Sequence, residues 1–366
     1  MVLDQCLGVR RGETVTVETW NHTLPWARAF VLEVRRRGGE PTLVVEDEEA
    51  FFRSLAQSGS VPSAPAAFAE ASDAYVYFPG PEQFPRLLGL SAVELEAVIG
   101  RHGPAWWRAA RRAGLRAARI AVAAATPAAA ARFGVDRDAW ERELVQGSLV
   151  SPDRLARSAG RLVRRLHRAH QVHLHHPNGT DLAVELLRAP PVVEDGRVDR
   201  ADRRAGRLWT QIPTGVVAVP LAPGVAEGVW ESNRETYDRF SDPPVTVGAR
   251  LSFHHGRLAE YSFDQGGAAF ARAYARGGRG RESPGALTFG VNPAISHAPE
   301  VGEVAAGTVG LLLGGNRSLG GRNPSRFSYL TTLAGASVDL DGEPFFEEGA
   351  LVRGTRGPHR STPPGE

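Results

Sequence analysis

Five histidines crowd into residues 167–176: His167, His170, His173, His175 and His176. His167 and His170 are three apart at the end of an expected helix, and His173 and His175 share one face of the expected strand that follows. Imidazoles placed this way become metal ligands when a carboxylate joins them, and the first one downstream is Asp181. Histidines at a helix end or an inter-domain strand are also commonly hydrogen-bonded surface groups, so a displaced metal site stays an alternative here. His254 and His255 fall at an expected hairpin tip, with rings on opposite faces and both exposed. Cys6 has no histidine near it in sequence and no G-x-S-x-G occurs, so no activated nucleophile is legible. Residues 272–281 (RAYARGGRGR) pair Arg/Gly content with one aromatic, Tyr274, the chemistry of a phosphate and base contact. A run this short in a charge-balanced chain reads instead as a flexible solvated loop, and no nucleic-acid partner is expected.

Composition narrows the chemistry further. The 366 residues are 42% hydrophobic and 23% charged with a net charge of +2, which excludes a disordered or fibrous chain and suggests two domains. All 43 cationic side chains are arginine. With no lysine there is no Schiff-base, acyl-carrying or P-loop lysine chemistry. One cysteine excludes a disulfide framework and a multi-thiolate metal site. No apolar run approaches the ~18–20 residues of a membrane span, and the N-terminus lacks a basic flank followed by an apolar stretch. A cytoplasmic protein with no membrane partner is expected.

The elements that position these residues fall into two groups. Residues 14–19 (TVTVET), 41–46 (PTLVVE), 74–78 (AYVYF) and 118–122 read as strands, separated by helical patterns at 25–37, 48–55 and 104–113. Further helices are expected at 136–145 and 152–167. Strands alternating with helices imply a parallel sheet with helices on both faces. The segment after the first strand, Trp20-Asn21-His22-Thr23, lacks G-x-G-x-x-G, so no nucleotide site is expected there. From residue 176 on, short strand-like runs (182–187, 215–220, 249–253, 309–313, 337–340) alternate with Gly/Pro turns. The expected architecture is an α/β N-terminal domain (1–176), a mixed β-rich C-terminal domain (177–353) and a loose polar tail (354–366).

Six C-terminal segments, in order, carry a resemblance: HPNGTDL (176–182), WTQIPTGVVAVP (209–220), LSFHHGRL (251–258), FGVNPAI (289–295), GTVGLLLGGN (307–316) and NPSRFSYL (323–330). Together with the N-terminal α/β pattern they resemble the aminopeptidase T (leucyl aminopeptidase-like) metallopeptidase family, over most of the chain. Ring-cleaving dioxygenases of dihydroxypyridines resemble the same scaffold, so the scaffold alone does not fix a reaction.

The resemblance also locates what is missing. The family's metal ligands correspond here to Val216, Ala286, Gly310, Ser328 and Leu330, side chains that bind metals poorly or not at all. No Asp, Glu or His lies within two residues of Val216, Gly310 or Leu330, so shifting the alignment does not restore a site. The resemblance thus implies a divergent member with its ligands replaced, no cofactor and no family-type hydrolysis. What it implies for binding is the cleft, whose expected walls carry Asn292, Asn316, Arg317, Arg322, Asn323, Arg326, Ser328 and Tyr329. Amides suit peptide backbones and guanidinium groups suit a carboxylate. Ser328 filling vacated volume is the plainer reading of that residue, although contact with Tyr329 or His297 would give it another role.

The function expected from these readings is a metal-free, non-hydrolytic peptide-binding protein. It would act as a carrier or helper in a peptide natural-product pathway, and by resemblance as a homodimer. Two alternatives stay open: a cofactor-free cyclase or isomerase acting on a peptide-derived substrate through Arg, Ser and Tyr, and a metallopeptidase whose ligands have moved to the histidine cluster.

Overall fold

The computed structural model describes residues 1–58, 64–100, 102–234, 236–237, 245–296 and 298–352. The β-branched run TVTVETW forms β1 (Thr14–Trp20), which pairs in parallel with β2 (Glu40–Glu46) and β3 (Ala74–Tyr77). The connection from β1 to β2 runs through helix Leu24–Arg36. Strand β4 (Arg116–Ile120) follows helix Pro104–Ala113, whose C-terminal Gly114 takes the left-handed conformation (φ 63°) that ends a helix at least cost. Side chains of Thr126, Asp136 and Ser151 cap the next three helices, Pro127–Phe133, Arg137–Ser148 and Pro152–Leu166.

The chain then enters a second sheet with β5 (Gln171–His176), β6 (Thr180–Leu186) and β7 (Val192–Glu194). It returns once: β8 (Trp209–Ile212) pairs in parallel with β4 and completes the first sheet in the order β2-β1-β3-β4-β8. The sixteen-residue β9 (Val216–Glu231) crosses back and becomes the spine of the second sheet. Strands β10 (Thr236–Tyr237) and β11 (Val245–Thr246) form a small separate pair, and the hairpin β12 (Arg250–His254) and β13 (Arg257–Ser262) docks on β9. The remaining strands are β14 (Pro284–Gly290), β15 (Thr308–Gly314), β16 (Ser328–Ala334), β17 (Ser337–Leu340), β18 (Glu343–Glu347) and β19 (Ala350–Leu351). Along the large sheet the order is β16-β15-β14-β9-β6-β5-β17-β18-β19. The expected fold class, a parallel α/β layer followed by a β-rich domain, is the one observed.

The break expected at residue 176 is crossed in both directions. Helix Pro152–Leu166 buries Leu155, Ala159, Leu162 and Leu166 in the core of the large sheet, and β5 belongs to that sheet as well. Each such leucine contributes roughly 1.5–3 kcal/mol of burial, enough to fix the helix there. In the other direction, β8 lies in the parallel sheet. The change in turn chemistry that marks residue 176 reports local punctuation, whereas sheet membership depends on pairing with distant strands.

Two local expectations also change. Strand β4 starts two residues early, because Arg116 and Ala117 already pair with Ala74 and Tyr75 of β3, and residues 121–124 form a 3-10 turn. The Arg/Gly run at 272–281 is a loop only in its second half. Its first half is part of helix Gly267–Arg276, which buries Phe270, with Ala273 and Tyr274 packed against the same core at helical spacing. His297 and the 354–366 tail lie outside the described residues.

Candidate functional site

The register of four strands decides the site. Val216 pairs with Gly290, Ala218 with Thr288 and Pro220 with Ala286 across β9 and β14. Thr288 pairs with Gly310 and Ala286 with Leu312 across β14 and β15. Gly310 pairs with Thr332, Leu312 with Leu330 and Gly314 with Ser328 across β15 and β16. Side chains alternate between faces along a strand, so these residues all point to one face. The five positions singled out as replaced ligands, Val216, Ala286, Gly310, Ser328 and Leu330, therefore share a face. Their sequence neighbours Val217, Leu287, Val309, Leu311 and Tyr329 point into the core of the large sheet.

On these four strands the face holds no Asp, Glu, His or Cys. Val216 packs into the first core with Ile295, Ala298, Val301 and Ala305, an apolar setting in which an unpaired carboxylate would cost several kcal/mol. At Gly310 a Cβ would collide with the Thr288 hydroxyl and lie 3.0 Å from Leu330 Cδ1, so the space above residue 310 is already filled. The Thr288 hydroxyl is buried without a partner. Glu194 on β7, in register with Val216, borders the face, and desolvation pushes its carboxyl pKa up. These donors do not fit a divalent metal, which needs three or four N, S or carboxylate ligands converging on one point.

The expected cleft residues divide into two groups. Asn292 is fully buried, and its Nδ2 donates to Thr214 O (2.8 Å) and Gly147 O (3.0 Å) while its Oδ1 accepts from Ala294 N (3.1 Å). Asn316 is buried, donating to Gly285 O (2.7 Å) and accepting from Asn323 N (2.9 Å). Asn323 in turn donates to Gly280 O (2.7 Å) and accepts from Ser325 N (3.0 Å). These amides fix the 315–327 loop against the 277–285 segment, so they shape the site rather than face a ligand. Tyr329 lies on the core side of β16, with its hydroxyl 2.7 Å from Thr246 Oγ1, and burial pushes its phenol pKa up. The cleft wall assigned to Asn292, Asn316 and Tyr329 is thus corrected to a supporting position.

Arg317, Arg322, Arg326 and Ser328 are exposed, and all lie on or beside the β15–β16 connection. Among the described residues none of the three arginines has an ion-pair or hydrogen-bond partner. Three unpaired, exposed guanidinium groups thus lie on the β15–β16 connection, which leads into Ser328 on this face. Two residues facing it, Thr288 and Thr332, were not picked out from sequence. The signal was available, since Thr288 and Thr332 lie two residues from Ala286 and Leu330 on their own strands.

Elsewhere, Cys6 is buried in the first core, and His254 and His255 contact Glu227 at the exposed hairpin turn. His176 Nδ1 accepts from Asn178 N (3.1 Å) within the HPNG turn. Among the described residues no helix is long and apolar enough to cross a membrane.

No protein-family model matches the sequence, and no curated protein matches it. Solved structures do. Wild-type AmpT from Thermus thermophilus aligns over 95% of this chain and 96% of its own, with a TM-score of 0.70 at 17% identity. The 2,5-dihydroxypyridine dioxygenase from Pseudomonas putida KT2440 aligns over 93% of this chain and 92% of its own, with a TM-score of 0.56 at 14% identity. At these identities the likeness is one of fold: the chain has an aminopeptidase T-like α/β scaffold.

Proposed function

We propose that this protein uses an aminopeptidase T-like scaffold to bind a peptide or peptide-derived molecule without hydrolysing it and without metal in the cleft. One observation carries the reading: the five positions that would hold the metal share a face on which they are apolar, small or a lone hydroxyl, and the face is refilled by Thr288 and Leu330. Removing the metal removes the Lewis acid and the activated water of a metallopeptidase. What persists is an open edge with Arg317, Arg322 and Arg326 unpaired, which favours an anionic end group. A carrier or helper role in peptide natural-product biosynthesis fits a binder of this kind, and a homodimer remains the proposed assembly, tested by light scattering.

The test is calorimetric titration of carboxylate-terminated and C-terminally amidated short peptides into the wild type and Arg322→Ala, with Arg326→Ala alongside, all in the presence of a chelator. Loss of either partner should cost about 1.5–3 kcal/mol, the worth of a hydrogen bond to a charged group. Loss of both should cost little more. Arg279→Ala, an exposed arginine outside this loop, should cost at most ~1 kcal/mol. Additive losses, or binding that disappears with chelator, would overturn the reading.

A further inference from the structure

Four strands away from Gly310 along the large sheet, the histidine-rich strand meets two carboxylates. His173 and His175 alternate with the buried Val172 and Leu174, so both imidazoles stand on the exposed face of β5. In the antiparallel register His173 lies opposite Asp339 of β17, and His175 lies opposite Asp181 of β6. The two rings are 5.8 Å apart between centroids at an interplanar angle of 39°. One ligand atom from each of His173, His175 and Asp339 lies within 4.8 Å of the others. The fourth group, Asp181, holds His173 Nε2 at 2.6 Å.

The geometry points to a zinc site formed by His173, His175 and Asp339, oriented by Asp181, on the outer face of the large sheet. Two imidazoles and one carboxylate are a borderline-soft donor set that selects zinc over magnesium or calcium, which prefer oxygen alone. At zinc bond lengths of about 2.0–2.2 Å, tetrahedral donors sit about 3.3–3.5 Å apart. The three groups therefore need to close by at most about 1.5 Å, within reach of rotamer changes for two exposed rings. Carboxylates of Asp339 and Asp181 beside neutral imidazoles balance the charge of a dication. A carboxylate bonded to the ring nitrogen of a ligating histidine is the usual outer-shell support of such a site.

Three protein ligands leave one coordination position open toward solvent. The ion also ties β5 to β17, so it clamps the C-terminal β17–β18 hairpin onto the sheet. This site shares no residue with the cleft proposed above, and the two readings stand or fall separately.

The experiment uses the full chain without an affinity tag, stripped with chelator, dialysed and titrated with zinc chloride by calorimetry. One equivalent should bind with a Kd in the micromolar range or tighter, unaffected by 10 mM magnesium, and should raise Tm because zinc binds the native state. His173→Ala/His175→Ala should abolish the binding, and Asp339→Asn should weaken it at least tenfold. His254→Ala/His255→Ala, at the other exposed histidine pair, should leave it unchanged. His173 and His175 are exposed and Asp339 is half-buried, so the metal-free histidine variant should melt where the metal-free wild type does. Absence of saturable zinc binding below 100 μM, or stoichiometric binding that survives His173→Ala/His175→Ala, would overturn the site. Peptide titrations on the same variants keep the two proposals apart, since loss of zinc should leave peptide affinity unchanged.

Discussion

The Thr288 hydroxyl on β14 occupies the volume that any side chain at Gly310 on β15 would need. The two residues are direct cross-strand partners on the face that Val216, Ala286, Ser328 and Leu330 share. Glycine at 310 and the threonine beside it are therefore one packing solution, and a larger side chain at 310 needs a change at 288 as well.

Gly310→Ala should accordingly destabilise the fold by roughly 1–3 kcal/mol, the usual cost of overpacking. In a Thr288→Ala background the same change should cost clearly less, because the colliding atom is gone. Denaturant midpoints of the four proteins measure the coupling. Equal costs in both backgrounds would show that the two side chains do not compete.

Asn292→Ala should cost about 2–4 kcal/mol. It leaves the buried carbonyls of Thr214 and Gly147 without the donor that now joins helix Arg137–Ser148 to the start of β9. Asn292→Asp should lose nearly as much, since a carboxylate cannot donate to a carbonyl. Arg317→Ala, at an exposed position with no partner among the described residues, should stay within about 0.5 kcal/mol of wild type. Thermal melts of the three variants check the order.

Burial pushes the Cys6 thiol from its ordinary 9.0 up to about 12, with only partial relief from the nearby N-terminal amine. The native protein should resist iodoacetamide at pH 8 and react fully once unfolded. The folded state holds this proton more tightly than the unfolded chain. Its contribution is therefore complete below pH 9 and is lost as pH climbs toward 12, by roughly 1.4 kcal/mol per unit. Cys6→Ala should flatten that part of the stability profile. Tyr329 titrates in the same direction but is present in both proteins, so the difference isolates the thiol.

Arg119 on β4 reaches Glu300 and Gln211, and both members of the ion pair are almost fully buried. The contact binds the parallel sheet to the segment between β14 and β15. Glu300→Gln should cost about 3–5 kcal/mol by leaving the guanidinium buried and uncompensated. The loss should change little between 0.05 and 0.5 M salt, because buried pairs are poorly screened. A loss that vanishes in high salt would mean the pair is effectively at the surface.

The sequence by itself determined the class of the fold, because alternating strands and helices allow few arrangements other than a parallel layer, and Gly/Pro-punctuated short strands mark the β-rich half. It also determined the absence of ligating side chains at Val216, Gly310 and Leu330, since residue type alone decides whether a side chain can coordinate. The exposure of Arg317, Arg322 and Arg326 was likewise readable from charge. Tertiary structure alone decided which polar residues were available. Asn292, Asn316 and Tyr329 look like binding groups as residue types, but long-range register turns them toward carbonyls or into the core. Asp339 is distant in sequence from His173 and His175, and only the antiparallel pairing of β5 with β17 brings them together. Period-two alternation says which residues of one strand share a face, while the neighbouring strand is fixed by burial and backbone pairing across the whole chain.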